Sequence, residues 1–346
     1  MSVKWDKSQL VVAAEALRAG KLVAFPTETV YGLGADATNP SAVKSVYTAK
    51  GRPSDNPLIV HIARPEEVLH YTESMPPVAS LLMQEFWPGP LTLIFKLKPN
   101  ALGEEVTGGM ETVAFRMPDN EVTLALIEAT GRPLVGPSAN TSGKPSPTTA
   151  EHVLHDLQGK IAGVVDDGAT RVGVESTVLD LSSDVPTILR PGAITLEMLK
   201  PLVPEVVEDT HLKNQEAAPK APGMKYKHYA PDTQVVMVAS EDWPSVKEWL
   251  QTTPLNVGLL ATASIYESLD KNKIVWFSLG NRGSVSTALS HLYAGLRDLD
   301  EIEPKLDVIL AETMPEEHEG VAYMNRLKKA ANYQYFNEWS QENEKI

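Results

Sequence analysis

Two cations stand two residues apart in the segment AKGRPSDNPLIVHI (49–62): Lys50 and Arg52, on either side of a glycine. In an extended segment alternate residues face the same way. The pair can then converge on one polyphosphate, Arg supplying a planar fork and Lys a compact charge. The competing reading is a solvated basic turn. Two neighbours weaken it: Asn56 follows, and His61 interrupts an apolar strand, although a lone strand histidine is more often structural.

Other segments pair constrained backbone with polar side chains that a core strand would not want. FPTETVYGLGADA (25–37) carries Thr27, Glu28 and Thr29 where a strand leaves its sheet. Hydroxyls there suit a small polar ligand, or else a capped turn. EFWPGPLTLIF (85–95) reads as a rigid corner before a strand. In ETVAFRMP (111–118) Arg116 ends a strand, where it can hold a carboxylate bidentately or form a surface ion pair. GPSANTSGKPSPTT (136–149) offers Ser138, Asn140 and Thr148 after a strand, as a phosphate or nucleotide cradle or a flexible loop. Ser176 in GVEST (173–177) and Arg190 in ILRPG (188–192) lie in similar settings.

Several chemistries are excluded. Gly143-Lys144 runs into Pro145, so it opens no phosphate-binding helix with a magnesium-binding hydroxyl. Gly32-Leu33-Gly34 with Ala37 matches G-x-G-x-x-A but does not directly follow a strand, and reads as turn glycines. The eight histidines have no metal-ligand spacing, so no metal site is expected. With no cysteine, disulfides, thiolate zinc and a thiol nucleophile all drop out. A net charge of −14 argues against a general nucleic-acid coat, and an RNA contact would need a local basic patch. No signal peptide and no apolar run of about 20 residues is visible, so a cytoplasmic protein is expected, away from membranes.

The elements that must position these residues read as α/β. Strands are expected at 21–25, 57–62, 91–97, 112–116, 133–138 and 176–181, with helices at 7–19, 40–49, 76–86, 120–130 and 149–157. This gives a twisted mixed-sheet domain over residues 1–205. Residues 206–231, ending in PGMKYKHYAP, read as a linker. From 232 to 346 strands at 233–240, 255–262, 273–280 and 306–313 and helices at 284–301 and 320–332 suggest a smaller Rossmann-like parallel α/β domain.

Taken together in order, K-x-R (Lys50, Arg52) and S-x-N (Ser138, Asn140), with PTETVYGLG, NPL.VHI, WPGPLT, FR.P, ESTV and RPG, resemble the YrdC/YwlC family over residues 8–205. The linker and C-terminal domain resemble its longer, two-domain branch, the threonylcarbamoyl-AMP synthases. That resemblance implies Lys50 and Arg52 as catalytic cations, with Lys50 facing the phosphates. It implies a threonine pocket of Thr29, His61, Arg116, Ser138 and Ser176, Thr177 being the alternative to Ser176. It implies ATP contacts from Arg52, Asn56, Thr112, Asn140, Thr148, Arg190 and Tyr229, the last on a lid in the linker. The substrates would be L-threonine, bicarbonate and ATP, with Mg2+ entering on the ATP. A downstream transferase complex would carry the product to the adenosine beside the tRNA anticodon, and a weak tRNA contact stays open. Rival readings are an RNA-binding module without catalysis, and a hydrogenase-maturation carbamoyl transferase, whose cysteine-rich zinc fingers this chain lacks.

Overall fold

The computed structural model describes residues 1–209, 229–271, 274–281 and 283–343, which form two compact units. The first holds residues 1–142 and 146–209. The second holds residues 143–145 and those from 229 onward. Most of the linker read from the sequence therefore lies outside the described residues.

Eleven strands of the first unit are described: β1 (Val3–Trp5), β2 (Val23–Phe25), β3 (Gly32–Asp36), β4 (Ile59–His61), β5 (Leu91–Lys96), β6 (Thr112–Arg116), β7 (Leu134–Val135), β8 (Gly163–Val165), β9 (Thr177–Asp180), β10 (Thr187–Arg190) and β11 (Val207–Glu208). They form one mixed sheet in the order β1-β8-β2-β3-β7-β4-β6-β5-β9-β10-β11. Side chains alternate across a strand, and the sheet is covered on both faces accordingly. Val23 and Phe25 pack with helices Leu10–Arg18 and Glu121–Thr130, while Leu22 and Ala24 join a second core with helix Pro40–Lys50.

Helix Pro40–Lys50 begins and ends for local reasons. The Asn39 side chain accepts from the amides of Ser41 and Ala42 at 3.1 and 3.2 Å, and Pro40 needs no amide partner in the first turn. Gly51, at φ 62°, ends it in the left-handed conformation that glycine adopts without strain. The extended-segment argument for Lys50 and Arg52 is thereby corrected: Lys50 is the last helical residue, and a reversal of the chain separates it from Arg52.

The glycines of the G-x-G stretch are not turn residues either; both lie in β3. A Cβ on Gly34 would stand 2.6 Å from the Val23 carbonyl and 2.9 Å from the Phe25 ring. The strand is glycine because a ring and a neighbouring backbone occupy that space.

In the second unit β12 (Gln234–Val238), β13 (Val257–Ala261), β14 (Ile274–Ser278) and β15 (Val308–Glu312) form an all-parallel sheet in the order β12-β15-β13-β14. Its core combines Val236, Val238, Leu259, Val308 and Leu310 with helix residues Trp243, Val246, Phe336 and Trp339. Short stretches of 143–145 belong to this unit. Arg297 donates through Nε and Nη2 to the Pro145 carbonyl at 3.1 and 2.6 Å, and Lys144 pairs with Asp232 at 2.6 Å. The 136–149 segment, read from the sequence as one cradle, is thus divided between the units.

Candidate functional site

The sheet order places strands β2, β3, β7, β4, β6, β5, β9 and β10 side by side, so segments far apart in sequence become neighbours. Arg116, ending β6, pairs in register with His61, ending β4. Its guanidinium donates through Nη1 to Thr29 Oγ1 at 2.8 Å and through Nε to the Gly89 carbonyl at 3.2 Å. Nη2 lies 2.6 Å from Glu28 Oε2, with both side chains almost wholly buried. Glu28 and Thr29 enter from the β2–β3 connection, which the Thr27 hydroxyl shapes by donating to the Val30 carbonyl at 2.7 Å and accepting from the Thr29 and Val30 amides.

His61 packs edge-on against Phe25 and is 2% exposed, and its Nδ1 has no hydrogen-bond partner. Burial first, and the Arg116 charge second, lower its pKa to about 3, so the ring is neutral over the whole physiological range. Gly136 makes room for it: a Cβ there would stand 2.7 Å from the imidazole and 2.6 Å from the Phe25 ring.

Lys50 meets the S-x-N segment. Its buried ammonium donates to the Ser138 carbonyl, to the Asn140 carbonyl at 2.7 Å and to Asn140 Oδ1 at 3.4 Å. The Ser142 amide returns a bond to the Lys50 carbonyl at 2.9 Å. Lys50 therefore clasps this turn from the end of its helix. Ser138 also bridges Gly32 at the start of β3.

Ser176 is buried between Thr92 and Arg190. Its Oγ lies 2.7 Å from Thr92 Oγ1 and accepts from Arg190 Nη2 at 3.1 Å, while its carbonyl accepts from Arg190 Nε at 3.0 Å. The Thr177 hydroxyl instead donates to the Ile194 carbonyl at 2.7 Å, which separates the two candidates. The Trp-Pro-Gly-Pro corner joins this group to Arg116, because the Thr177 amide donates to the Pro90 carbonyl at 3.0 Å, next to the Gly89 carbonyl that Arg116 holds.

Other expected residues are less closely gathered. Arg52 lines a cavity of about 800 Å3 with Lys44, Tyr47 and Glu105. Asn56 is fully buried, and neither polar atom of its side-chain amide has a hydrogen-bond partner. Thr112 opens β6, and the Thr148 hydroxyl lies 3.3 Å from His152 Nδ1. Tyr229 belongs to the second unit, where its ring packs on Tyr293 at 5.4 Å beneath Arg326 and Lys329, each 5.9 Å from its centroid. Residues 222–228 of the lid segment lie outside the described residues.

Glu28 and Thr92 were not among the expected site residues. The visible signal for Glu28 was a carboxylate at a strand exit; for Thr92, only a hydroxyl inside an apolar strand. Among the described residues no three carboxylate or histidine groups gather in a way that could hold a metal ion, and no helix is long and apolar enough to cross a membrane.

Residues 15–192 match the family described as telomere recombination, and residues 194–332 match the threonylcarbamoyl-AMP synthase C-terminal domain. The chain is 50% identical to threonylcarbamoyl-AMP synthase of Bacillus subtilis, over 93% of both chains. It is 44% identical to the protein of that name from Pyrococcus abyssi, over 95% of both. It is similar in structure to P. abyssi Sua5 complexed with L-threonine, with a TM-score of 0.88 and 41% identity over 97% of this chain and 98% of that one.

Proposed function

The chain belongs to the two-domain threonylcarbamoyl-AMP synthases, and from that premise we propose that it joins L-threonine, bicarbonate and ATP into threonylcarbamoyl-adenylate, releasing pyrophosphate. The observation that carries the reading is a buried, charged wall in the first unit: Arg116 with Glu28, Thr29 and a neutral His61, beside polar atoms that lack protein partners. Buried polar groups are normally hydrogen-bonded, and a small charged ligand supplies what these lack.

The reaction fits such a wall. The amine of threonine, once its ammonium has given up a proton to water, attacks the carbon of bicarbonate, and water leaves as the carbamate forms. A carbamate oxygen then attacks the α-phosphorus of ATP, and pyrophosphate leaves. No side-chain nucleophile is required; alignment and charge neutralisation suffice. Arg116 receives the threonine carboxylate, with Thr29, Ser138 and Ser176 as neighbouring hydroxyls. The neutral His61 ring pairs with the threonine hydroxyl, and a site built to pair that hydroxyl rejects amino acids without it.

Lys50 holds the 138–140 turn in the shape that receives ATP, and Arg52, Asn56, Thr112, Asn140, Thr148 and Arg190 complete the nucleotide contacts. Tyr229 joins them on family resemblance alone. Mg2+ would enter with the ATP, held mainly by phosphate and water. The division into residues 1–205, a 206–231 linker and 232–346 belongs to the same reading, as do a cytoplasmic setting and a separate transferase complex that takes the product to tRNA.

The test is adduct formation from labelled bicarbonate and ATP with threonine present or omitted. Threonine-dependent label in an AMP adduct, with matching pyrophosphate, is expected. Pyrophosphate release independent of threonine and bicarbonate overturns the reading, and no release at all leaves the RNA-binding alternative.

A further inference from the structure

Glu28 presents a problem that Arg116 alone does not solve. Its side chain is 3% exposed, yet neither carboxylate oxygen has a hydrogen-bond partner. The contact with Arg116 Nη2 is close, at 2.6 Å, but it is an ion pair without a directed N–H···O bond. An ionised carboxylate can accept at about four lone-pair positions. Burying it with all of them unused costs more than an ion pair returns.

Beyond Arg116, the other cation whose charge reaches Glu28 is Arg171, and its guanidinium is held by the Asp119 carboxylate at 2.6 Å. The flanking hydroxyls of Thr27 and Thr29 are engaged with each other at 2.8 Å and with the Val30 carbonyl and Arg116. The backbone of Glu28 is pinned, its carbonyl accepting from the Val172 amide at 2.7 Å. The missing donor is then a ligand's.

An α-amino acid is a zwitterion whose ammonium and carboxylate leave the same carbon. Arg116 and Glu28 present the complementary charges side by side. We propose that Glu28 binds the α-ammonium of threonine while Arg116 binds its carboxylate. Glu28 thereby fixes the position of the nitrogen that must form the carbamate bond. The inference rests on the threonine pocket argued above and adds to it a specificity residue. In the empty pocket Glu28 balances the buried guanidinium; when threonine enters, each charge exchanges its protein partner for a substrate partner.

Isothermal titration calorimetry with two ligands tests this: L-threonine, and (R)-3-hydroxybutanoate, which keeps the carboxylate and hydroxyl but lacks the amine. The wild-type chain should favour threonine strongly. In Glu28→Gln the preference should shrink by about 10- to 100-fold, the worth of a charged hydrogen bond, while the affinity for hydroxybutanoate holds or rises. If both ligands weaken in parallel, or neither changes, Glu28 serves only Arg116 and the proposal falls.

If the wild-type chain binds no threonine, the functional reading itself fails, a result distinct from either. Unchanged ATP binding and thermal melting certify that the variant folds. Should the glutamine variant not fold, Glu28→Asp keeps the charge and shortens the reach by one methylene. Its preference for threonine should then fall selectively, and a parallel loss again overturns the proposal.

Discussion

The two sheets of this chain bury different kinds of residue. In the second unit the parallel strands QVVMV, VGLLA and VILAE bury valine, leucine and alanine, and the buried Arg297 is hydrogen-bonded to the Pro145 carbonyl. In the first unit the strands end in His61, Arg116 and Arg190, all buried, with Glu28 and Asn56 buried close to strand ends in sequence. Glu28, Asn56 and His61 carry polar atoms without partners there, whereas the second unit has one such hydroxyl among the described residues, on Thr233. A fold maximising its own stability would resemble the second sheet throughout. The first gives up stability where a ligand is to be held, and unsatisfied buried groups are how that shows.

Variants that remove a buried charge break this contrast hardest. Arg116→Ala leaves Glu28 buried without its ion-pair partner, which costs about 3–5 kcal/mol of stability. Threonine-dependent adduct formation should fall by about 100-fold or more, since the variant loses charged hydrogen bonds and the alignment they set. Chemical denaturation and the labelled-bicarbonate assay measure the two losses. Full activity in Arg116→Ala would remove the guanidinium from the site. Lys50→Met is expected to rank next. It strands the carbonyls of Ser138 and Asn140, at about 1–3 kcal/mol for an unsatisfied buried group. Its activity loss should appear mainly as weakened ATP binding, read by calorimetry. Weakened threonine binding with ATP intact would place the clasped turn against the amino acid instead.

Much of the first unit was legible because its longer elements carry a clear period. Expected strands at 57–62, 91–97 and 112–116 contain β4, β5 and β6, and the helix expected at 120–130 is Glu121–Thr130. Strands of two to four residues such as β1, β8, β10 and β11 are too short to show alternation. β3 was hidden for a different reason: Gly32 and Gly34 carry no pattern, and the Phe25 ring against both, with the Val23 carbonyl against Gly34, explains the choice.

Arg116 at the end of β6 and Ser176 just before β9 stand where the sequence put them relative to their strands. The partnership of Lys50 with the 138–140 turn spans 88 and 90 residues and leaves no local trace. Glu28 left as little trace, since a glutamate after Pro-Thr also suits a turn and only its burial beside Arg116 singles it out.

A matched pair of glycines sharpens the comparison. Gly136→Ala drives a methyl to 2.7 Å from His61 and 2.6 Å from Phe25, and Gly258→Ala drives one to 2.7 Å from Leu306. Each should cost about 1–3 kcal/mol by overpacking. The consequences should differ: Gly136→Ala displaces a site residue and should raise the KM for threonine, while Gly258→Ala should leave steady-state constants unchanged at a temperature where it stays folded. Equal effects on KM would deny the first sheet its special role.

The smallest expected effect is a slope. His61 is held neutral to about pH 3, far below its value of 6.5 in the unfolded chain. Between those values the unfolded state binds one more proton than the folded state. Stability from this group is therefore fully present above about pH 6.5 and is lost as pH falls toward 3, at no more than about 1.4 kcal/mol per pH unit. His61→Phe should flatten the dependence between pH 6.5 and 5, where most carboxylates are still ionised. Urea melts followed at several pH values measure it, with Trp5 and Trp87 reporting on the first unit and Trp243, Trp249, Trp276 and Trp339 on the second. The flattening should appear in the transition that carries the first unit. An unchanged slope there would mean that His61 is hydrated and titrates normally, and its neutrality could then no longer explain how the threonine hydroxyl is read.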